Sequence, residues 1–183
     1  MNICVFCGSS SGTDAIYATE ARELGRLLGK SKSTLIYGGG NVGLMGIVAD
    51  ATLAASGEVV GVIPDFLLRR EVAHNGLTRL EVVESMHERK KRMADLSDAF
   101  IAMPGGWGTL DELAEILTWK QLGLIDSPIA LLNINSYFDH LMAQMEVMAK
   151  SGFLGAESLH SIKIAQTPAQ LLTQLGVNSV QSA

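Results

Sequence analysis

Short apolar runs alternate along this chain with stretches of helical periodicity. That alternation narrows the fold more than any other feature of the sequence. The runs are Ile3–Phe6, Thr34–Tyr37, Val59–Ile63, Leu80–Val83, Ala99–Met103, Ile129–Leu132 and Ile162–Ala165. Most lack the polar alternation of a half-exposed strand, which suits strands covered on both faces. Helical patterns lie between them at Asp14–Leu28, Gly43–Ala55, Met86–Leu96, Thr109–Leu122, Tyr137–Lys150 and Pro168–Leu175. In the first, Ala15, Ala18, Leu24, Leu27 and Leu28 fall near one stripe. The pattern predicts an α/β fold, a doubly wound parallel sheet with right-handed crossovers and helices on both faces.

The 183 residues suit one domain, and no repeat, low-complexity tract or linker divides them. We expect a single domain over residues 1–176 and a frayed tail over 177–183. The longest non-periodic segment, Pro64–Thr78, carries Arg69, Arg70, Glu71 and His74 and reads as a loop or short helix over a site. With 14 Lys and Arg against 19 Asp and Glu, and no long basic run, nucleic acid is not an expected partner. No apolar stretch approaches a membrane span, and the N-terminus lacks a basic region and long apolar core, so a cytoplasmic protein is expected. The two cysteines, Cys4 and Cys7, lie in one apolar run at the N-terminus. With no second pair to complete a metal site, they read as small buried residues with reduced thiols.

Ligands of open parallel sheets bind at the carboxyl ends of strands. Three strand ends here are rich in Gly or Ser: Gly8-Ser-Ser-Ser-Gly12, Gly38-Gly-Gly-Asn-Val-Gly-Leu-Met-Gly46 and Gly105-Gly-Trp-Gly-Thr109. Each precedes a helix candidate, whose N-terminal N–H groups and positive dipole end suit an anion. One such turn is ordinary in a βα unit; three on one edge point to a phosphate-binding cleft. Gly38, Gly40 and Gly43 fit G-x-G-x-x-G, but on the second strand rather than the first, and no P-loop lysine motif is present. In the third turn, Thr109 reads as a helix N-cap with Glu112 three residues on, as in a capping box. A carboxylate there also suits sugar hydroxyls or a water molecule. Met86-His-Glu-Arg-Lys-Lys-Arg-Met93 is the densest basic patch. It reads either as a solvated face or as a source of a guanidinium for phosphate or a purine edge.

Together, Pro104-Gly-Gly-Trp-Gly-Thr-Leu-Asp-Glu112 and Met86-His-Glu-Arg-Lys90 resemble the paired signatures of the Lonely Guy (LOG) family. The resemblance extends to the opening Val-Phe-Cys-Gly-Ser-Ser, to Tyr-Gly-Gly-Gly-Asn-Val-Gly-Leu-Met-Gly and to Leu117-Thr-Trp-Lys-Gln-Leu-Gly123. It implies a Rossmann-like fold, usually dimeric. It also implies a phosphoribohydrolase that cleaves the N-glycosidic bond of cytokinin riboside 5′-monophosphates, and often of AMP, to free base and ribose 5-phosphate. The resemblance places Arg89 and Glu112 as the catalytic pair, with Lys90, Gly106, Trp107, Gly108, Thr109, Leu110, Asp111, Thr118 and Glu71 as nucleotide contacts. Gly105 with the other amides through Thr109, joined by Gly39, Gly40, Gly8 and Ser9 of the other turns, would hold the 5′-phosphate. No metal or cofactor is expected. Family members have often been labelled lysine decarboxylases, but no lysine here sits in a recognisable pyridoxal-phosphate setting. A nucleotide-binding sensor without chemistry is the alternative from another class. Helix Thr109–Leu122 is apolar on more than one face, and with the resemblance this leads to an expected homodimer.

Overall fold

The computed structural model describes residues 1–68 and 73–177. Each apolar run forms a strand: β1 Asn2–Phe6, β2 Thr34–Tyr37, β3 Glu58–Pro64, β4 Arg79–Val83, β5 Ala99–Ala102, β6 Ile129–Leu132 and β7 Lys163–Ala165. They form one parallel sheet in the order β4-β3-β2-β1-β5-β6-β7. The inner strands β1, β2, β5 and β6 are nearly continuous apolar runs because both faces of the sheet are covered there, whereas the edge strand β4 carries Arg79 and Glu81 and is largely open to solvent. The longer helices are α1 Ala15–Lys30, α2 Gly43–Ala54, α4 Met86–Asp95, α5 Trp107–Gln121, α6 Asp139–Lys150 and α8 Pro168–Gln174. Two short helices, α3 Asp65–Leu68 and α7 Ala156–His160, are too brief to show a period in the sequence.

Side-chain alternation divides β1 between two cores. Ile3, Val5 and Cys7 pack with Leu24, Leu28, Val48, Ala49 and Leu171 on the face covered by α1, α2 and α8. Cys4 and Phe6 pack with Met93, Leu113, Ile116 and Phe138 on the other face, under α4, α5 and α6. Cys4 and Cys7 therefore point to opposite sides of the sheet and are free, buried thiols. On the first face α1 and α2 touch backbone to backbone. A Cβ at Gly25 or Gly29 would overlap α2 around Val48, Thr52 and Ala55.

Some details add to or alter the sequence expectations. Val177, expected in the tail, packs on the first core and its N–H donates to the Leu172 carbonyl (2.9 Å); residues 178–183 lie outside the described residues. Helix α6 starts at Asp139 rather than Tyr137, since a 3-10 turn, Ile134–Ser136, intervenes with Asn135 in a left-handed conformation. In Pro64–Thr78, α3 is followed by a return along the second glycine turn, where Ala73 bridges Gly40 and the His74 N–H donates to the Gly39 carbonyl (3.1 Å).

Candidate active site

The strand order reverses between β1 and β5, and there the glycine turns meet. The Gly8 N–H donates to the Pro104 carbonyl (3.1 Å), joining the first turn to the third. The Leu44 N–H donates to the Gly8 carbonyl (3.0 Å), so the second turn closes onto the first. Gly43, at φ +60°, leaves no room for a Cβ against the backbone of Ser9 and Ser10. The last glycine of the G-x-G-x-x-G pattern thus serves this backbone-to-backbone contact.

The three following helices are not equally open to an anion. Asp14 caps α1 by accepting the Ile16 N–H (3.0 Å), so a carboxylate already occupies its positive end. Helices α2 and α5 have no side-chain cap and no acidic residue in the first turn. The expectation of three anion-facing helix starts is therefore reduced to two.

Thr109 is not the N-cap that its spacing to Glu112 suggested. The Gly106 carbonyl accepts the Leu110 N–H (3.2 Å), so α5 begins at Trp107 with Gly106 as its cap. Thr109 is then the third helical residue, buried, with its side chain against Gly105. Gly106 and Gly108 are exposed, and a Cβ on either would meet no heavy atom within 4 Å. Trp107 stands almost wholly in solvent, at 87% exposure.

Helix α4 is held at its start by Ser85, whose hydroxyl accepts the Glu88 N–H (3.1 Å), and buries only Arg89 and Met93. Arg89 is 5% exposed. Its Nη2 donates to the Gly38 carbonyl (2.8 Å) and its Nε to the Val62 carbonyl (3.1 Å). The guanidinium is thereby fixed at the carboxyl ends of β2 and β3, rather than on a solvated basic face. Glu112 is half-buried in a narrow cleft shared with Phe6, Lys90 and Trp119. Burial pushes the Cys4 thiol up; Glu112 adds to that shift and Arg89 opposes it, so both candidate catalytic charges flank β1. Burial and Glu112 likewise push the Cys7 thiol up, leaving neither cysteine reactive.

Lys90 reaches from α4 to α5, where its Nζ lies 3.1 Å from Asp111 and 3.2 Å from Glu115. Burial opposes its charge, but the hydrogen bonds it donates to these two carboxylates outweigh that and hold the ammonium above the ordinary lysine range. Gly8, Ser9, Gly39 and Gly40, Arg89, and Gly105 through Glu112 all gather at one edge. Thr118 does not. It is nine residues beyond Thr109, about 14 Å along α5, and lines an outer groove between α5, α6 and α7. Glu71 lies outside the described residues.

Two features escaped the sequence reading. The Tyr137 hydroxyl donates to the Gly105 carbonyl across 32 residues, leaving no local pattern to betray it. His74, buried, accepts the Gly76 N–H at Nδ1 (3.0 Å), so Nε2 bears the proton facing Asp50 (2.9 Å) and ties the loop to α2. Among the described residues no cluster of three or more His, Cys, Asp or Glu is arranged to hold a metal ion. No described helix is long and apolar enough to cross a membrane.

Residues 45–175 match a family model described as possible lysine decarboxylase. The chain is 44% identical over 179 residues to a probable cytokinin riboside 5′-monophosphate phosphoribohydrolase of Oryza sativa subsp. japonica, covering 98% of this chain and 73% of the relative. It is 43% identical to a cytokinin riboside 5′-monophosphate phosphoribohydrolase of Arabidopsis thaliana, covering 94% of this chain and 81% of that one. The chain belongs to the Lonely Guy (LOG) family. The LOG fold extends to more distant proteins. A molybdenum cofactor binding protein from Rippkaea orientalis superposes with a TM-score of 0.72 at 24% identity, over 96% of this chain and 94% of that chain. Within this LOG-family chain, the lysine beside the site is a poor Schiff-base former. That role needs an amine that loses its proton readily, whereas Lys90 is held charged by two carboxylates.

Proposed function

We propose that this protein is a phosphoribohydrolase that cleaves the N-glycosidic bond of cytokinin riboside 5′-monophosphates, and of AMP, releasing free base and ribose 5-phosphate. The reading is carried by one juxtaposition. An uncapped helix start at Gly106 lies at the strand-order reversal, with Glu112 along the same helix and the anchored Arg89 guanidinium nearby. The names of relatives at 42–46% identity support it.

The amides from Gly105 to Thr109, with those of Ser9, Gly39 and Gly40, bind the 5′-phosphate, while the Gly8 N–H stays with the Pro104 carbonyl and holds the first turn against the third. Breaking the bond from C1′ to the base leaves positive charge on the sugar and negative charge on the departing nitrogen. The Glu112 carboxylate stabilises the cationic sugar and orients the water whose oxygen bonds to C1′. A proton from that water balances the charge of the released base. Arg89, fixed by two carbonyls, places a permanent positive charge where negative charge develops, with no reorganisation at the moment of reaction. No step requires a cofactor.

We further propose that the protein works in the cytoplasm as a homodimer. The groove between α5, α6 and α7, of about 550 Å³, is lined by Leu110, Leu117, Leu141, Met145 and Leu154. Beside it Leu122, Leu124 and Phe153 stand exposed at 66%, 66% and 84%. A second copy would cover this surface and set Thr118 at a shared site. Sedimentation velocity should give twice the mass of one chain; a monomer at micromolar concentration would rule the dimer out.

Incubation of purified protein with AMP and with isopentenyladenosine monophosphate should release free base, read by chromatography. Intact substrate after long incubation at high enzyme would end the hydrolase reading and favour a nucleotide sensor. Glu112→Gln should bind nucleotide nearly as wild type but lose turnover by roughly 10²–10³-fold. Unchanged turnover would move the chemistry elsewhere.

A further inference from the structure

We propose that Tyr137 is a positioning residue for the phosphate cradle, acting by aiming a backbone N–H. The inference rests on the phosphate-binding role proposed for the Gly105–Thr109 turn.

Two successive carbonyls of that turn are held from outside. The Pro104 carbonyl accepts the Gly8 N–H (3.1 Å), and the Gly105 carbonyl accepts the Tyr137 hydroxyl. No cis peptide bond occurs among the described residues. In a planar trans peptide the C=O and the following N–H point in opposite directions. Holding the Gly105 carbonyl therefore fixes the Gly106 N–H, which faces the other way and heads the row of amides at the start of α5. Gly106 has no side chain to restrain this peptide, and a Cβ there would touch nothing. The Tyr137 hydroxyl supplies the restraint.

Tyr137 is itself held firmly although it is 42% exposed. Its ring meets Phe138 edge-on at 5.1 Å and Tyr17 at 5.9 Å. Phe138 is buried, and its N–H donates to the buried Asn133 side chain (2.7 Å), which in turn donates to Asp139 (2.8 Å). Tyr17 packs on Gly12, at φ +74°, in the first turn. Directly before Tyr137, Asn135 and Ser136 have φ of +50° and +60°. Two adjacent left-handed non-glycine residues persist only where surrounding contacts over-determine them. Tyr137 and Tyr17 thereby link the first and third glycine turns to the β6–α6 connection.

The test is Tyr137→Phe, which keeps the ring contacts and deletes only the donor. KM for the nucleoside monophosphate should rise roughly three- to tenfold, the size of one hydrogen bond, while kcat falls by less than about twofold. The inhibition constant of ribose 5-phosphate should rise in parallel, and that of free adenine should stay put. Equal weakening of both inhibitors, or an unchanged ribose 5-phosphate constant, would overturn the proposal. A second measurement needs no variant: in an amide NMR titration of wild-type protein with ribose 5-phosphate, the Gly106 resonance should be among those that move most. A stationary Gly106 beside shifting Gly108 and Thr109 would also overturn it. Wild-type protein that binds no ribose 5-phosphate at all would instead remove the phosphate-binding reading, and this one with it.

Discussion

The Arg89 guanidinium lies directly against Gly38, donating to its carbonyl at 2.8 Å where a side chain would otherwise stand. Gly38 is not at positive φ, so alanine is acceptable to the backbone; its Cβ would collide only with Arg89 and approach Met45. Gly38→Ala is therefore a way to displace Arg89 without removing its charge. Turnover should fall roughly 10²-fold, with a stability loss of about 1–3 kcal/mol from overpacking. Steady-state kinetics beside thermal melting separate the two effects. Full turnover in a stably folded Gly38→Ala protein would show that the exact seat of Arg89 is unimportant.

The glycines at the site divide into those that pack and those that leave space. Gly43 has positive φ and meets the Ser9–Ser10 backbone, which cannot yield as a side chain can. Gly43→Ala should cost roughly 2–4 kcal/mol and lower the yield of folded protein. Gly108 is the second residue of α5, exposed, with nothing near its Cα to refuse a methyl group. Gly108→Ala should stabilise the fold by about 0.5–1 kcal/mol and yet weaken nucleotide affinity, since the added methyl faces the ligand. Melting and calorimetric titration on one sample test this opposition. A variant that gained stability and kept full affinity would mean that the ligand does not approach Gly108.

The sheet was legible because buried parallel strands have no polar face: β2 and β6 coincide with their apolar runs, and most others lie within a residue. The glycine turns were legible for a related reason, since close backbone approach demands residues without side chains. Local signals failed where the deciding partner was distant. The Thr109–Glu112 spacing fits a capping box, but the helix starts earlier, at Gly106, directly after the Pro104–Gly105 step that packs on Gly8. Tyr137 looked like the opening of a helix because nothing in its neighbourhood reveals a bond to Gly105. Arg89 was singled out by family resemblance; its charge pattern alone suited a solvated face, and only the fold shows it buried against two carbonyls. Thr118 sits on the outer groove, away from the glycine turns, and no local pattern in α5 marks that separation.

The α4–β4 contact should make stability fall with acid. Arg92 Nε lies 2.6 Å from Glu81, and Arg79 pairs with the same carboxylate at 3.1 Å. The hydrogen bond from Arg92 holds the Glu81 carboxyl below the ordinary range against a smaller opposing effect of burial, with the charges of Arg92 and Arg79 adding to it. A carboxyl depressed in the folded state contributes stability above its unfolded pKa, which is lost as pH falls through the folded one. Arg92 is 41% exposed, so solvent screens the pair, and its worth is about 0.5 kcal/mol. Urea unfolding at pH about 6 and about 3.5 should show a smaller acid loss in Glu81→Gln than in wild type. Identical losses would place the acid sensitivity in other carboxylates.

Tyr37 ends β2 just before the Gly38 turn, fully buried, and its hydroxyl has no hydrogen-bond partner among the described residues. Burial pushes the phenol well above its ordinary range, so it remains neutral and its cost is that of an unpaired polar group rather than of a charge. Phenylalanine has the same ring and lacks the atom that is poorly accommodated. Tyr37→Phe should therefore be neutral or stabilising by up to about 1 kcal/mol, a rise of roughly 2–4 °C in melting temperature for a chain of this size. Turnover should be retained, because the ring's packing in the first core is unchanged. A loss of more than about 1 kcal/mol would show that the hydroxyl is satisfied in solution, with a buried water as the natural partner. That would make Tyr37 part of a polar network beneath the second glycine turn rather than a residue retained for its ring.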